Sequence, residues 1–246
     1  MTLTYQTYQI TVADIVLQAT RKPIKHLRIR VCPPDGRVKV SVPTGMGENF
    51  VRRAILSKLE WIRKHRFQMS GRPPRKPIQY VSGDTIRFHG RDCELNVVEQ
   101  RGRPYVVLRG KERICLFVRP GSDADIRRKV MEDWYRKELK AAIPPLMNKW
   151  QRIMGVRISE WRIKRMKTRW GTCNVRARRI WINLELIKQS AHLLEFIIVH
   201  ELTHLLEPSH NGRFKALMDV NMPDWRQRQK ELKRAVLWTE WAVDSE

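Results

Sequence analysis

Apolar and polar residues alternate through much of the first part of the chain. Tyr5-Gln-Thr-Tyr-Gln-Ile-Thr-Val12, Ile24-Lys-His-Leu-Arg-Ile-Arg-Val31 and Val38-Lys-Val-Ser-Val-Pro43 read as strands, with Pro33-Pro-Asp-Gly36 as the turn between the last two. They predict a small antiparallel sheet. From Glu48 to Phe67 the period changes: Val51, Ala54, Ile55, Leu59 and Ile62 recur at helical spacing, with Arg52, Arg53, Lys58, Arg63 and Lys64 opposite. This predicts one basic amphipathic helix resting on the sheet. Ser70 to Pro77 is a loop or linker, followed by strand signals at Thr85 to Phe88, Cys93 to Val98, Tyr105 to Leu108 and Ile114 to Val118.

The pattern turns helical after Ser122-Asp-Ala-Asp125, which supplies an N-cap and first-turn acids. Apolar positions run through Ile126, Val130, Trp134, Leu139 and Ala142 to Pro144-Pro145, and a second helical piece from Leu146 to Met154 closes at Gly155. Short strands are expected around Val156 to Met166 and Arg179 to Leu184, then a helix from Ser190 to Glu207, and a C-terminal helix from about Pro223 to Trp241. The composition shift near residue 121 divides the chain into a β-rich domain over 1–120 and an α+β domain over 121–246. The sequence shows neither an internal repeat nor a low-complexity tract.

The helix from Ser190 to Glu207 carries chemistry, and the apolar spacing of Arg213 to Met218 predicts another short helix packing back on it. His200-Glu-Leu-Thr-His204 lies among Leu193, Leu194, Phe196, Ile197, Ile198, Val199, Leu202, Leu205 and Leu206. On a helix, His200 and His204 stack on one face and can share a metal, while Glu201 stands beside them to take a proton from water. Three ionisable groups on one turn of an apolar helix would be costly to bury if they merely satisfied one another. Catalytic zinc takes three protein ligands, so one more is required. His210, six residues after His204 and beyond Pro208, is the first candidate, ahead of Glu207 and Asp219. The spacing matches the metzincin pattern, with Glu207 in place of the glycine that eases the turn there.

Hydrophobic residues make up 42% of the 246, enough for real cores, and no run approaches the length of a membrane span. Cys32, Cys93, Cys115 and Cys173 are widely spaced, which argues against a disulfide scaffold or zinc ribbon and fits a cytoplasmic setting. Against 25 acidic residues stand 49 Lys and Arg, a formal charge of +24 that favours polyanions without naming one, so nucleotide or nucleic acid stays a candidate partner. Arg162, Lys164, Arg165, Lys167, Arg169, Arg176, Arg178 and Arg179 cluster just before the metal helix, and some of them are expected to line the approach to it.

Arg169-Trp-Gly-Thr-Cys173, Ile180-Trp-Ile-Asn183-Leu-Glu-Leu186, His200-Glu-Leu-Thr-His204, Pro208-Ser-His210 and Phe214 resemble, in order and spacing, the YgjP-like zinc metallopeptidases, relatives of the WLM and SprT-type proteins. The likeness extends over most of the chain, with Ala177 standing where the family commonly has glycine. It implies a zincin-like catalytic domain, with His200, His204 and His210 as zinc ligands, Glu201 as general base, and a strand near Ile180 to Leu184 bordering the cleft and pairing with an extended peptide. Trp170, Gly171 and Cys173 are read as packing under the helix. Arg169 is a candidate to stabilise an oxyanion or bind an acidic substrate group, and Asn183 to hydrogen-bond substrate or support a metal ligand. The expectation is a zinc-dependent metallohydrolase, in the first place a metallopeptidase acting on peptides or proteins. Two alternatives are a metal-dependent nucleoside triphosphate hydrolase on the same site and a nucleic-acid-associated protein with SprT-like proteolysis.

Overall fold

The computed structural model describes residues 6–32, 35–70 and 78–234. The expected Pro33-Pro34 corner, the linker stretch 71–77 and the C-terminal helix past Arg234 lie outside the described residues. Contacts divide the chain into two compact units, with the division between residues 77 and 78.

The first unit is a four-stranded sheet of order β1-β2-β4-β3, with β1 Thr7–Val12, β2 Ile15–Lys22, β3 Arg28–Cys32 and β4 Arg37–Pro43. Sequence reading passes over β2, whose buried Ile15, Leu17 and Ala19 alternate with exposed Val16 and Gln18, the valine blurring the apolar–polar pattern. The expected all-antiparallel sheet is in fact mixed, because the β3–β4 hairpin lays β4 beside β2 in parallel. The single expected helix is two, α1 Glu48–Leu56 and α2 Leu59–Ser70, with Ser57 capping the first. Their buried face, Val51, Ile55 and Ile62, joins Ile15, Leu17, Val40 and Val42 in one core.

The second unit opens with the same topology. Strands β5 Thr85–Phe88, β6 Arg91–Glu99, β7 Tyr105–Arg109 and β8 Arg113–Val118 run in the order β5-β6-β8-β7, again with the second and fourth parallel and hairpins on either side. No sequence repeat betrays this, since alternation alone is kept. The domain boundary expected near residue 121 falls inside one core: Ile86, Leu95, Ile114 and Leu116 pack with Met131, Leu139 and Ile198.

Helix α3, Ala124–Met154, is one 31-residue element capped by Asp123, whose carboxylate accepts from the Ile126 N–H, and ended by left-handed Gly155. It was expected to break at Pro144-Pro145. A mid-helix proline costs about 3 kcal/mol, yet Leu139 and Ile143 before the pair and Met147 and Trp150 after it are all buried on the same core, which offsets that cost.

A three-stranded sheet follows, order β10-β11-β9, with β9 Glu160–Lys164, β10 Gly171–Asn174 and β11 Arg179–Asn183. A 3-10 turn, Leu184–Lys188, leads into α4, Ala191–Thr203, and then come α5 Gly212–Asn221 and α6 Trp225–Arg234. The β5–β6 turn clamps the entry to α4. His89 and Gly90, both left-handed, donate backbone N–H groups to the carbonyls of Ile187 and Lys188 at 2.9 and 3.1 Å, and Gly90 lies so close to Ser190 that a side chain there would strike its Oγ and crowd its backbone. The fold is α+β, as expected, with the β-rich part first. Among the described residues no helix is long and apolar enough to cross a membrane.

Candidate metal centre

Helix α4 is apolar nearly all round, and Leu193, Leu194, Phe196, Ile198, Val199 and Leu202 are buried. It ends at His204, four residues before Pro208 and earlier than expected. The chain then turns through Leu206 and Glu207, whose N–H groups reach the Thr203 carbonyl at 2.9 Å each. This turn returns His210 over the helix. Asn211 caps α5 by accepting from the Phe214 N–H, which seats Phe214 beneath the histidines.

His200, His204 and His210 form the cluster, each with a ligand atom within 4.8 Å of the others. Their ring centroids are 4.6 to 4.9 Å apart, and Phe214 lies 4.7 to 5.0 Å from all three. His204 donates its Nδ1–H to the Glu207 carbonyl at 3.2 Å, which leaves Nε2 bare as an acceptor. His200 and His210 face each other Nε2 to Nε2 at 3.0 Å. Two nitrogens on one tetrahedral zinc stand about 3.3 Å apart, so the pair is already at nearly that separation. The buried Nδ1 of His200 finds no protein partner. Burial, then the charges of His204 and His210, lowers His200 to about 3, and burial first of all lowers His204. Neutral imidazoles with converging lone pairs are the donor set zinc takes, so these residues fit that ion. Glu207 and Asp219 are occupied elsewhere: Glu207 accepts from the Ser209 N–H, and Asp219 holds Trp225 and Arg226.

Glu201 projects from the next position on α4 and is only 4% exposed. Burial pushes its carboxyl up to about 8, against the pull of the Arg169 guanidinium. Gly171 on β10 lies directly against it: a Cβ there would stand 2.5 Å from Glu201 Oε1. Cys173, two residues on, is driven up to about 11 by burial and then by Glu201.

A cleft of about 580 Å³ opens over these groups. Its walls are the stretch from Thr168 to Cys173, Phe196 and Ile197 of α4, and Gln229, Leu232 and Lys233 of α6. The bordering strand is therefore β10. The strand near Ile180 to Leu184, expected in that place, is β11, enclosed between β10 and β9. Arg169 is at the cleft, exposed. Asn183 is not: it is fully buried, and its amide donates to the carbonyls of Met166 and Arg169 at 2.8 and 2.7 Å while accepting from the N–H groups of Met166 and Glu185. It holds the Met166 to Arg169 loop and has no atom left for a substrate. Of the basic cluster, Arg169 alone lines the cleft; Arg165 pairs with Glu132 and Glu185, and Arg162 and Arg179 with Glu160. Sequence reading missed the α6 wall, because Gln229 and Lys233 carry no motif.

Comparison with curated proteins gives no match. Among solved structures the chain is similar to the crystal structure of the metallopeptidase zymogen of Pyrococcus abyssi abylysin, at 17% identity, over 37% of this chain and 91% of that one, with a TM-score of 0.35. The model of the YgjP-like metallopeptidase domain matches residues 25–235, which take in β3, β4, the two sheets of the second unit, the histidine cluster and the α6 wall, and the chain belongs to that family.

Proposed function

We propose that this protein is a zinc-dependent metallopeptidase that uses His200, His204 and His210 as ligands and Glu201 as general base. The observation that carries the reading is the convergence of three imidazoles beside a buried carboxylate at the floor of an open cleft. Zinc held there would supply Lewis acidity, polarising a carbonyl and making water a nucleophile near neutral pH. The Glu201 carboxyl, pushed up to about 8, is matched to accept a proton from water and return it to a leaving amine. The Gly171 backbone leaves that carboxylate room and bounds its movement. Strand β10 bonds to β11 along one edge only, and its other edge offers backbone groups to an extended peptide. Arg169 stands where it would meet an oxyanion or an acidic group. All four cysteines are free, in keeping with a reducing cytoplasm.

A second reading has one observation in its favour. The cations lining the cleft are Arg169 and Lys233, and its single carboxylate, Glu201, is buried, so an anionic substrate such as a nucleoside triphosphate would also suit it. Incubating purified protein with unfolded proteins and with nucleotides, each with and without chelator, decides between them. Chelator-sensitive peptide cleavage with intact nucleotides supports the peptidase, and the converse overturns it.

A further inference from the structure

A second cluster lies on the other face of the β10-β11-β9 sheet. Along β11 the buried Ile180 and Ile182 face α4, as do their partners Cys173 and Gly171, so Arg179 and Trp181 point the opposite way. The register sets Trp181 between Thr172 of β10 and Arg162 of β9, with Arg179 opposite Glu160 and Lys164 two residues beyond Arg162. Trp181 is half-buried, and three cations crowd its ring: Arg162 Cζ at 5.7 Å from the centroid, Lys164 Nζ at 5.8 Å and Arg179 Cζ at 5.9 Å. The carboxylate among them is Glu160, shared by Arg162 at 2.8 Å and Arg179 at 3.0 Å. Three cations against one acid leave the face positive, and exposed Arg176 and Arg178 on the β10–β11 turn extend it.

An aromatic ring among cations on an open sheet face is the pairing that retains unpaired nucleotides: the ring takes a base, and the cations take phosphates. A duplex offers phosphates but no free base, and a polyglutamate stretch offers carboxylates but nothing for the ring. We propose that this face binds single-stranded nucleic acid, with a base on Trp181 and backbone phosphates on Arg162, Lys164 and Arg179. The surface lies across the sheet from Gly171 and Glu201, so the proposal does not depend on what the cleft hydrolyses. Glu160 is then the internal competitor, a carboxylate that phosphate displaces from two arginines.

The test is fluorescence anisotropy with the full chain and a labelled oligothymidylate of about 20 nucleotides, across a salt series. The single strand should bind at least about tenfold tighter than the duplex of equal length, and Trp181→Leu should weaken it by about 5- to 100-fold. Lys164→Glu should weaken binding and flatten the salt dependence by about 0.7 in log–log slope. Glu160→Gln should tighten it, and Glu201→Gln should leave it unchanged, which keeps the result separate from the fate of the hydrolase reading. Equal affinity for duplex, undiminished binding by Trp181→Leu, or equal competition by polyglutamate would each overturn the proposal. If Trp181→Leu fails to fold, the exposed Lys164→Glu and Glu160→Gln changes decide it, and no movement of affinity in either sinks it.

Discussion

Gly171 and Glu201 are in contact: a Cβ on the glycine would stand 2.5 Å from the carboxylate oxygen and 2.8 Å from its Cγ. Its backbone is not left-handed, so the requirement for glycine here is one of space, not of conformation. Gly171→Ala must push Glu201 aside, and a displacement of about 1 Å at a catalytic group costs on the order of 10²-fold in rate. The expected outcome is kcat/KM reduced by that amount, with metal content and thermal stability close to the parent. Unchanged kcat/KM would show that Glu201 is not held by this contact.

Glu201→Gln keeps the shape and removes the proposed base. General base catalysis contributes about 10²- to 10⁴-fold, so turnover should fall by that range while stoichiometric zinc remains. Metal analysis beside steady-state kinetics reads both quantities, and stoichiometric zinc beside unaltered activity would remove Glu201 from the mechanism.

His210→Ala takes away the imidazole whose Nε2 faces His200 at 3.0 Å. Zinc affinity should fall by at least about 10²-fold in a competitive chelator titration, given the ordinary need for three protein ligands. Asp219→Asn leaves the histidines intact and loosens Trp225 and Arg226, so it should cost stability and no zinc. The reverse ranking would make Asp219 the third ligand.

The histidine helix was legible because its signal is local. Spacing on one turn, the apolar flanks and the return at Pro208 are all read within about twenty residues. The Gly171 contact was not, since it joins β10 to α4 across thirty positions, and only distance in space reveals why a glycine stands there. The same limit hid the topology. Alternation finds strands such as β4, but whether β4 lies parallel to β2 depends on where the β3–β4 hairpin is laid, which alternation does not encode. Pro144-Pro145 misled in the opposite direction: a strong local breaker lost to the burial of Ile143 and Met147 on either side of it. Asn183 was drawn toward the substrate by its place in a motif, whereas its four hydrogen bonds serve the loop behind it.

That loop supplies a further expectation. Replacing Asn183 by Ala removes the partner of two carbonyls and two N–H groups, of which the Glu185 N–H is buried and the others part-buried, and an unsatisfied buried group costs about 1 to 3 kcal/mol. A stability loss of at least about 2 kcal/mol is expected in urea denaturation, together with a fall in kcat from a loosened Arg169 loop. Asn183→Asp keeps the acceptor that serves Met166 and Glu185 but loses both donated bonds, so it should be nearly as damaging. Full stability in Asn183→Ala would mean that the loop is held by other contacts.

The metal-free protein should have its stability squeezed from both sides of neutrality by adjacent residues. His200 is lowered to about 3, chiefly by burial. Between that value and about 6.5 the unfolded chain binds a proton that the folded one refuses, so this stability is present above pH 6.5 and is lost as pH falls toward 3. Glu201 is raised to about 8, again by burial. From about 4.5 upward the unfolded chain ionises while the folded one keeps its proton, so stability declines as pH climbs toward 8. The two slopes oppose each other between about pH 4.5 and 6.5, leaving an acid limb owed to His200 below and an alkaline limb owed to Glu201 above. At about 1.4 kcal/mol per pH unit, the alkaline limb amounts to at most about 2 kcal/mol between pH 6.5 and 8. Urea denaturation of chelator-treated protein from pH 4 to 9 should show both limbs, and Glu201→Gln should flatten the alkaline one while leaving the acid one. An alkaline decline of the same size in Glu201→Gln would assign it to another group and leave the Glu201 carboxylate ionised at neutral pH.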